Sequence, residues 1–176
     1  MTFLVNNAFY EKEEILQETS PSIQNNFSTS SFIDVSYSII DYIPAPFSKY
    51  VEYSYLTYLA KDGSSGSNTI NLMFKLIYSD DGGSSWFDWG DNTSVFVGSD
   101  TSNIRDRGLF NIKFFLETAA SGSRGVWTGN RKLKLWGKKV NGDVRLHQLN
   151  DFRDSTGEVD GTHYYYPTIK CSSIKG

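Results

Sequence analysis

An all-β sandwich is the fold this 176-residue sequence predicts, on three observations. From Phe32 to Ile174, segment after segment alternates apolar or aromatic residues with polar ones, the period of a strand with one buried face. Clusters of Gly, Ser, Asn and Asp separate these segments at intervals of about 8–20 residues, with no helical stretch between them. Aromatic residues make up 15% of the chain, with 12 Phe, 11 Tyr and 4 Trp, and such side chains suit strands and dominate cores and interfaces. A domain of this length buries roughly 70% of its unfolded surface, so it needs no disulfide. The single cysteine, Cys171, allows no internal one and reads as a small, half-buried residue on the last strand.

Residues 1–30 differ from the rest. Phe9–Gln17 has the composition of about two helical turns, too short to be stable alone. Thr19-Ser20-Pro21-Ser22, Gln24-Asn25-Asn26 and Ser28-Thr29-Ser30-Ser31 are linker chemistry. Yet Phe3, Leu4, Val5, Phe9, Ile15 and Leu16 are apolar, which a solvated tail does not need. Residues 1–30 are therefore expected to form an extended N-terminal arm that docks on its own domain or on a neighbour, and residues 31–176 the sandwich.

Within that domain, Phe32–Val35 leads into Ser36–Ile43, which stops at Pro44-Ala45-Pro46 because proline cannot donate to a ladder. Lys49–Ala60 is the clearest long strand. Tyr50, Glu52, Ser54, Leu56 and Tyr58 share one face, and Val51, Tyr53, Tyr55, Thr57 and Leu59 the other. One face belongs to the core, and the other is available to a second subunit. A Gly/Ser-rich loop, Asp62–Ser67, leads to Thr69–Tyr78, with Ile70, Leu72, Phe74, Leu76 and Tyr78 on one face. The Asp80-Asp81-Gly82-Gly83 turn precedes two short strands, Ser85–Trp89 and Thr93–Val97. Leu109–Glu117 places Phe110, Ile112 and Phe114 together, opposite Leu109, Lys113 and Phe115. Arg131–Lys139 and Val144–Leu149 read as a hairpin around Asn141-Gly142. Tyr164–Ile174 closes the domain and is expected to pair near Phe32. The whole is an all-β sandwich or jelly roll.

Charge is balanced, 17 basic against 20 acidic residues with a net of −3, which does not suit nucleic acid. The most basic stretch, Arg124–Lys139, reads as a solvated strand face. No apolar run reaches the 18 residues of a membrane span. The start lacks the pattern of a signal peptide, so synthesis and folding in a cytoplasm are expected.

Trp86-Phe87-Asp88-Trp89-Gly90-Asp91 is the best candidate for a binding function. Flat rings beside carboxylates can stack on sugars and accept hydroxyl hydrogen bonds, so Trp86, Asp88, Trp89 and Asp91 are assigned to a carbohydrate. Trp86 and Asp88 share one strand face, and Phe87 and Trp89 the other, so part of the motif must be structural. Asp80, Asp81, Asp88, Asp91 and Asp100 do not follow a calcium-loop pattern and read as turn formers. His147 and His163 have no zinc spacing, and no nucleophile elbow accompanies them. His147 is assigned a structural hydrogen-bonding role. No catalytic residue, metal or cofactor is expected.

Ser31-Phe32-Ile33-Asp34-Val35, followed by Tyr50-Val51-Glu52-Tyr53-Ser54-Tyr55, resembles the opening of trimeric jelly-roll domains in tailed-phage virion proteins. Trp127-Thr128-Gly129-Asn130-Arg131-Lys132-Leu133-Lys134-Leu135, then Val144-Arg145-Leu146-His147 and Pro167-Thr168-Ile169, resembles the C-terminal half of virion structural proteins of marine, especially cyanobacterial, phages. Those proteins are similar in outline to C1q/TNF-type jelly rolls. The chain departs after His147, where Asn150-Asp151-Phe152-Arg153-Asp154 stands in place of the Trp-Asp-Gly turn this family type often shows. The resemblance implies a jelly-roll sandwich and a non-enzymatic virion component on the particle surface, a head decoration or fibre-like protein or a tail-associated attachment protein; for the last, the carbohydrate assigned to the Trp86–Asp91 motif would be a host-surface glycan. It also implies a homotrimer, whose interface is assigned to Tyr53, Tyr55 and Phe115. The arm would then hold other virion proteins or lace subunits together.

Overall fold

The computed structural model describes residues 9–17, 25–27, 30–61, 69–98, 107–121, 124–141, 144–147 and 166–175. All the regular structure among them is strand, in two antiparallel sheets. In the first sheet, β1 (Phe9–Gln17) pairs with β11 (Thr168–Lys175), and β11 with β5 (Tyr50–Lys61). The other edge of β5 is taken along its length by β8 (Arg107–Glu117). Beyond the end of β11, β10 (Val144–Leu146) continues along β5 and carries β2 (Asn25–Phe27).

The second sheet is built on β9 (Arg131–Asn141), which pairs on one edge with β3 (Ile33–Asp34) and β4 (Ile40–Tyr42). On its other edge lies β6 (Thr69–Ser79), followed by β7 (Phe87–Gly98). The orders β1-β11-β5-β8 and β3/β4-β9-β6-β7 make the chain change sheets at most of its connections. This is the strand arrangement of a double-sheet jelly roll, as the sequence predicts.

The core lies between the sheets. Val51, Tyr53, Tyr55 and Leu59 of β5, with Ile112, Phe114 and Leu116 of β8, face Leu72, Phe74 and Leu76 of β6 and Leu133 and Leu135 of β9. Buried tyrosines need a partner for the hydroxyl. Tyr53 donates to the Ser38 carbonyl at 2.6 Å and Tyr55 to the Ser36 carbonyl at 2.9 Å. These bonds reach from the first sheet to the segment between β3 and β4. Gly137 of β9 is a close approach of another kind. A Cβ there would sit 2.7 Å from the Phe27 ring and 3.0 Å from Phe74, which stack edge to face beneath it.

Several expectations are corrected. Phe9–Gln17 is a strand, because β11 offers its backbone a ladder that outweighs a short helix. The closing strand pairs with β1 and β5, whereas the segment near Phe32 pairs with β9. β9 and β10 are not a hairpin, since they lie in different sheets. The two short strands around Gly90 are one strand, β7, with a bulge in which Trp89, Gly90 and Asp91 lie opposite Leu76. Gly90 takes a φ of 106° there, which favours glycine. Phe3, Leu4 and Val5, the Asp62–Ser67 loop, Asp100, His163 and the 150–154 segment lie outside the described residues.

Candidate functional site

The hairpin joining β6 to β7 positions the Trp86–Asp91 motif. Asp81 fixes its turn by accepting from the Ser79 hydroxyl at 2.7 Å and the Ser85 amide at 2.9 Å. Hydrogen bonds from the Ser79 hydroxyl first, and then from the Ser85 amide, hold the Asp81 carboxyl well below the usual carboxylate range. Gly82 and Gly83 adopt positive φ, 75° and 104°. Asp80, Asp81 and Asp88 act as turn formers and ion-pair partners, and among the described residues no His, Cys, Asp and Glu side chains converge as a metal site.

From this turn the motif splits. Trp89 points inward and is 7% exposed, 5.2 Å from Tyr78 and 5.4 Å from Trp127 between ring centroids. The Arg131 guanidinium stands over Tyr78, Trp127 and Trp89 at 5.0, 5.5 and 5.7 Å. Arg131 is itself buried and bonds Asp80 at 2.5 Å and the Gly125 carbonyl at 3.3 Å. Trp89 is therefore part of a cation-filled aromatic box and is removed from the carbohydrate assignment. Trp86 and Asp88 lie on the outer face of the second sheet, as strand alternation requires. The side chain of Asp91 lies outside the described residues.

On that outer face, lysines and rings alternate. Lys138 and Lys75 stand over Phe32 at 4.8 and 4.7 Å. Lys75 and Lys134 stand over Trp136 at 5.0 and 5.9 Å, and Lys134 over Trp86 at 4.2 Å. Carboxylates complete the row. Asp34 pairs with Lys134 at 2.9 Å and accepts from the Trp136 indole at 2.5 Å, Asp88 pairs with Lys75 at 2.7 Å, and Asp41 with Lys132 at 3.0 Å. The basic stretch is thus an ordered cation–π ladder in which Lys134 is buried, where a solvated face was expected. Trp86 is half-buried, with Lys134 over its ring. Phe32, Lys75 and Trp136 were missed in the sequence, although Lys132, Lys134, Trp136 and Lys138 at period two carried the signal.

The trimer assignment also divides. Tyr53 and Tyr55 have no exposed surface, because their face of β5 is the core face, and they are withdrawn as interface residues. Phe115 lies on the opposite face and is 57% exposed, as is Leu109. Ile15 and Tyr50 share this outer face and are also exposed. Between them run polar pairs: Lys113 with Glu52 at 2.9 Å, and the Ser54 hydroxyl donating to Asn111 at 2.5 Å. Leu16 is exposed at β1, and the side chain of Phe9 lies outside the described residues.

His147 is fully buried, with its backbone at a φ of 69°. Its Nε2 lies 3.3 Å from the Tyr55 hydroxyl and its Nδ1 2.9 Å from that of Thr57. Burial pushes its pKa down to about 4. Cys171 is fully buried, and burial pushes its thiol well above the ordinary range. No helix among the described residues is long and apolar enough to cross a membrane.

No protein-family model and no curated protein matches the chain. Among solved structures it is similar to the VP2 subviral particle of infectious bursal disease virus, with a TM-score of 0.34 and 11% identity over 93% of this chain and 38% of that one. It is also similar to the Eiger TNF of S. frugiperda, with a TM-score of 0.29 and 11% identity over 86% of this chain and 91% of that one. The chain thus spans well under half of the VP2 chain. Both likenesses are distant, and the jelly-roll assignment rests on the strand order.

Proposed function

We propose that this protein is a non-enzymatic structural component of a tailed-phage virion, a homotrimeric head decoration or fibre-like protein displayed on the particle surface. The observation that carries the proposal is the outer face of the first sheet. There Ile15, Tyr50, Leu109 and Phe115 expose apolar surface around paired polar groups, the mixture that a subunit interface covers. In a closed trimer each subunit meets both neighbours through one repeated head-to-tail contact, which would cover this surface. Within residues 1–30, β1 and β2 are paired into the first sheet, and exposed Leu16 on β1 is the contact assigned to other virion proteins. The buried, hydrogen-bonded setting of His147 supports a structural role for that residue.

Light scattering on the full chain at micromolar concentration tests this reading. A mass of three subunits is expected, falling to one when Leu109→Lys and Phe115→Lys are combined, with the strand signal in circular dichroism retained. A monomeric mass for the unaltered chain, together with single copies on the particle, overturns it.

A second reading, a tail-associated protein that binds a host glycan, draws on the outward Trp86 and Asp88. Trp86→Ala should then abolish adsorption without unfolding the domain, and unchanged adsorption sinks it.

A further inference from the structure

We infer that His147 is an acid-operated latch: taking up a proton releases β10 and β2 from the end of β5 while the rest of the sandwich stays folded. The hydrogen bonds around the ring specify a neutral imidazole. The Tyr55 hydroxyl donates to the Ser36 carbonyl at 2.9 Å, so toward the ring its oxygen accepts. Nε2, 3.3 Å from that oxygen, therefore carries the ring proton, and Nδ1 accepts from the Thr57 hydroxyl at 2.9 Å. A second proton, on Nδ1, meets the Thr57 hydroxyl hydrogen head on. That hydroxyl must turn to accept, and the bond it donated is lost. The titratable groups against the ring are Tyr37, edge-on at 5.6 Å from the segment between β3 and β4, and Tyr55, at 6.2 Å from β5. Among the described residues no carboxylate faces the ring to offset the new charge, and a buried unpaired charge is costly. Burial accordingly holds the His147 pKa at about 4, against a smaller opposing contribution from a hydrogen bond with the Ser36 backbone.

The charge reaches water through a short part of the first sheet. β10 meets β5 through Val144–Leu146 opposite Leu59–Lys61, and β2 meets β10 through Asn25–Phe27. The His147 amide adds one bond, to the Tyr58 carbonyl at 3.0 Å. By contrast, β11 pairs with β5 over seven residues and β8 over eleven. Two residues with a Cβ hold left-handed backbone where the latch closes, Tyr37 at a φ of 57° and His147 at 69°, and their rings pack edge to face. Strain of this kind persists only while the surroundings enforce it, and outward movement of His147 relieves it. A strained contact that tolerates no charge, on a short flap, is a two-state element that one proton can bias. Opening brings Phe27, Val144 and Leu146, all buried in the closed form, to solvent. The inference stands apart from the virion reading, because it concerns the single subunit.

Amide exchange on the full chain tests it, followed residue by residue at pH 7 and pH 4.5 and corrected for intrinsic rates. With a pKa of about 4 in the closed form and the ordinary 6.5 in the open one, opening of β2 and β10 should rise about fifty-fold over this range, while β8 and β11 change far less. Equal acceleration in all four strands, or none in β2 and β10, overturns the latch. His147→Asn tolerates the positive φ and should remove the rise, and a rise that survives in it also overturns the latch. The nitrogen chemical shifts of the His147 ring in the unaltered chain supply a readout that needs no variant. They should place the proton on Nε2 at pH 7, and a proton on Nδ1 instead overturns the assignment.

Discussion

The Nδ1 of His147 and the hydroxyl of Thr57 lie 2.9 Å apart, in a core that leaves both side chains no exposed surface. The pair joins the end of β10 to the middle of β5, and its chemistry depends on a neutral imidazole. Burial holds the His147 pKa at about 4, below its ordinary 6.5, so between those values the unfolded chain binds the extra proton. Stability is therefore fully present above pH 6.5 and falls as pH drops toward 4. The loss amounts to about 3 kcal/mol for a shift of this size. Urea midpoints measured from pH 7.5 to 4 should show this decline, and His147→Asn, which tolerates the positive φ, should flatten it.

Gly137→Ala should lower stability by about 1–3 kcal/mol, as overpacking a filled core does. The added methyl meets the Phe27 and Phe74 rings. Combining it with Phe27→Leu should recover part of the loss, and purely additive thermal-melt results would contradict a steric origin.

Arg131→Lys should cost about 2 kcal/mol although charge is kept. An ammonium cannot bond Asp80 and the Gly125 carbonyl as a fork while lying over Tyr78, Trp89 and Trp127. Tryptophan emission shifted to the red at a lower urea concentration is the expected signature.

The two tryptophans of the hairpin should behave oppositely. Trp89→Ala removes a buried ring from the box and should cost about 3–5 kcal/mol. Trp86→Ala, on the outer face, should leave the melting temperature within a few degrees.

Tyr53→Phe and Phe115→Lys separate core from interface. The first removes the donor to the Ser38 carbonyl and should lower stability by about 1 kcal/mol with no change in mass. The second should weaken association while the isolated fold persists.

Alternation alone was enough to find β5, β6, β8 and β9, because each has one face in the core. It did not decide which face of β5 is inside, since both carry tyrosines. The deciding partners are the carbonyls of Ser36 and Ser38, which lie in a distant loop. Trp86 and Asp88 were correctly placed on one face, but the Arg131 that binds Trp89's side of the motif is more than forty residues away. Local signals misled twice. Glu- and Leu-containing Phe9–Gln17 looks helical until β11 is present to pair with it. Asn141-Gly142 looks like a hairpin turn until β9 and β10 find their stronger partners, β6 and β5.

The pairing of β1 with β11 also governs how the chain can be cut. A fragment beginning at residue 31 would omit β1 and leave the backbone of Thr168–Lys175 unpaired along one side. Such an open edge recruits strands from other molecules. With β1 in place, the outermost strand of the sheet is one whose sequence holds Glu11, Lys12, Glu13 and Glu14, and charge on an edge strand discourages further pairing. The first strand is thus a guard against self-aggregation, and the domain's solubility depends on a segment that lies before its apparent boundary.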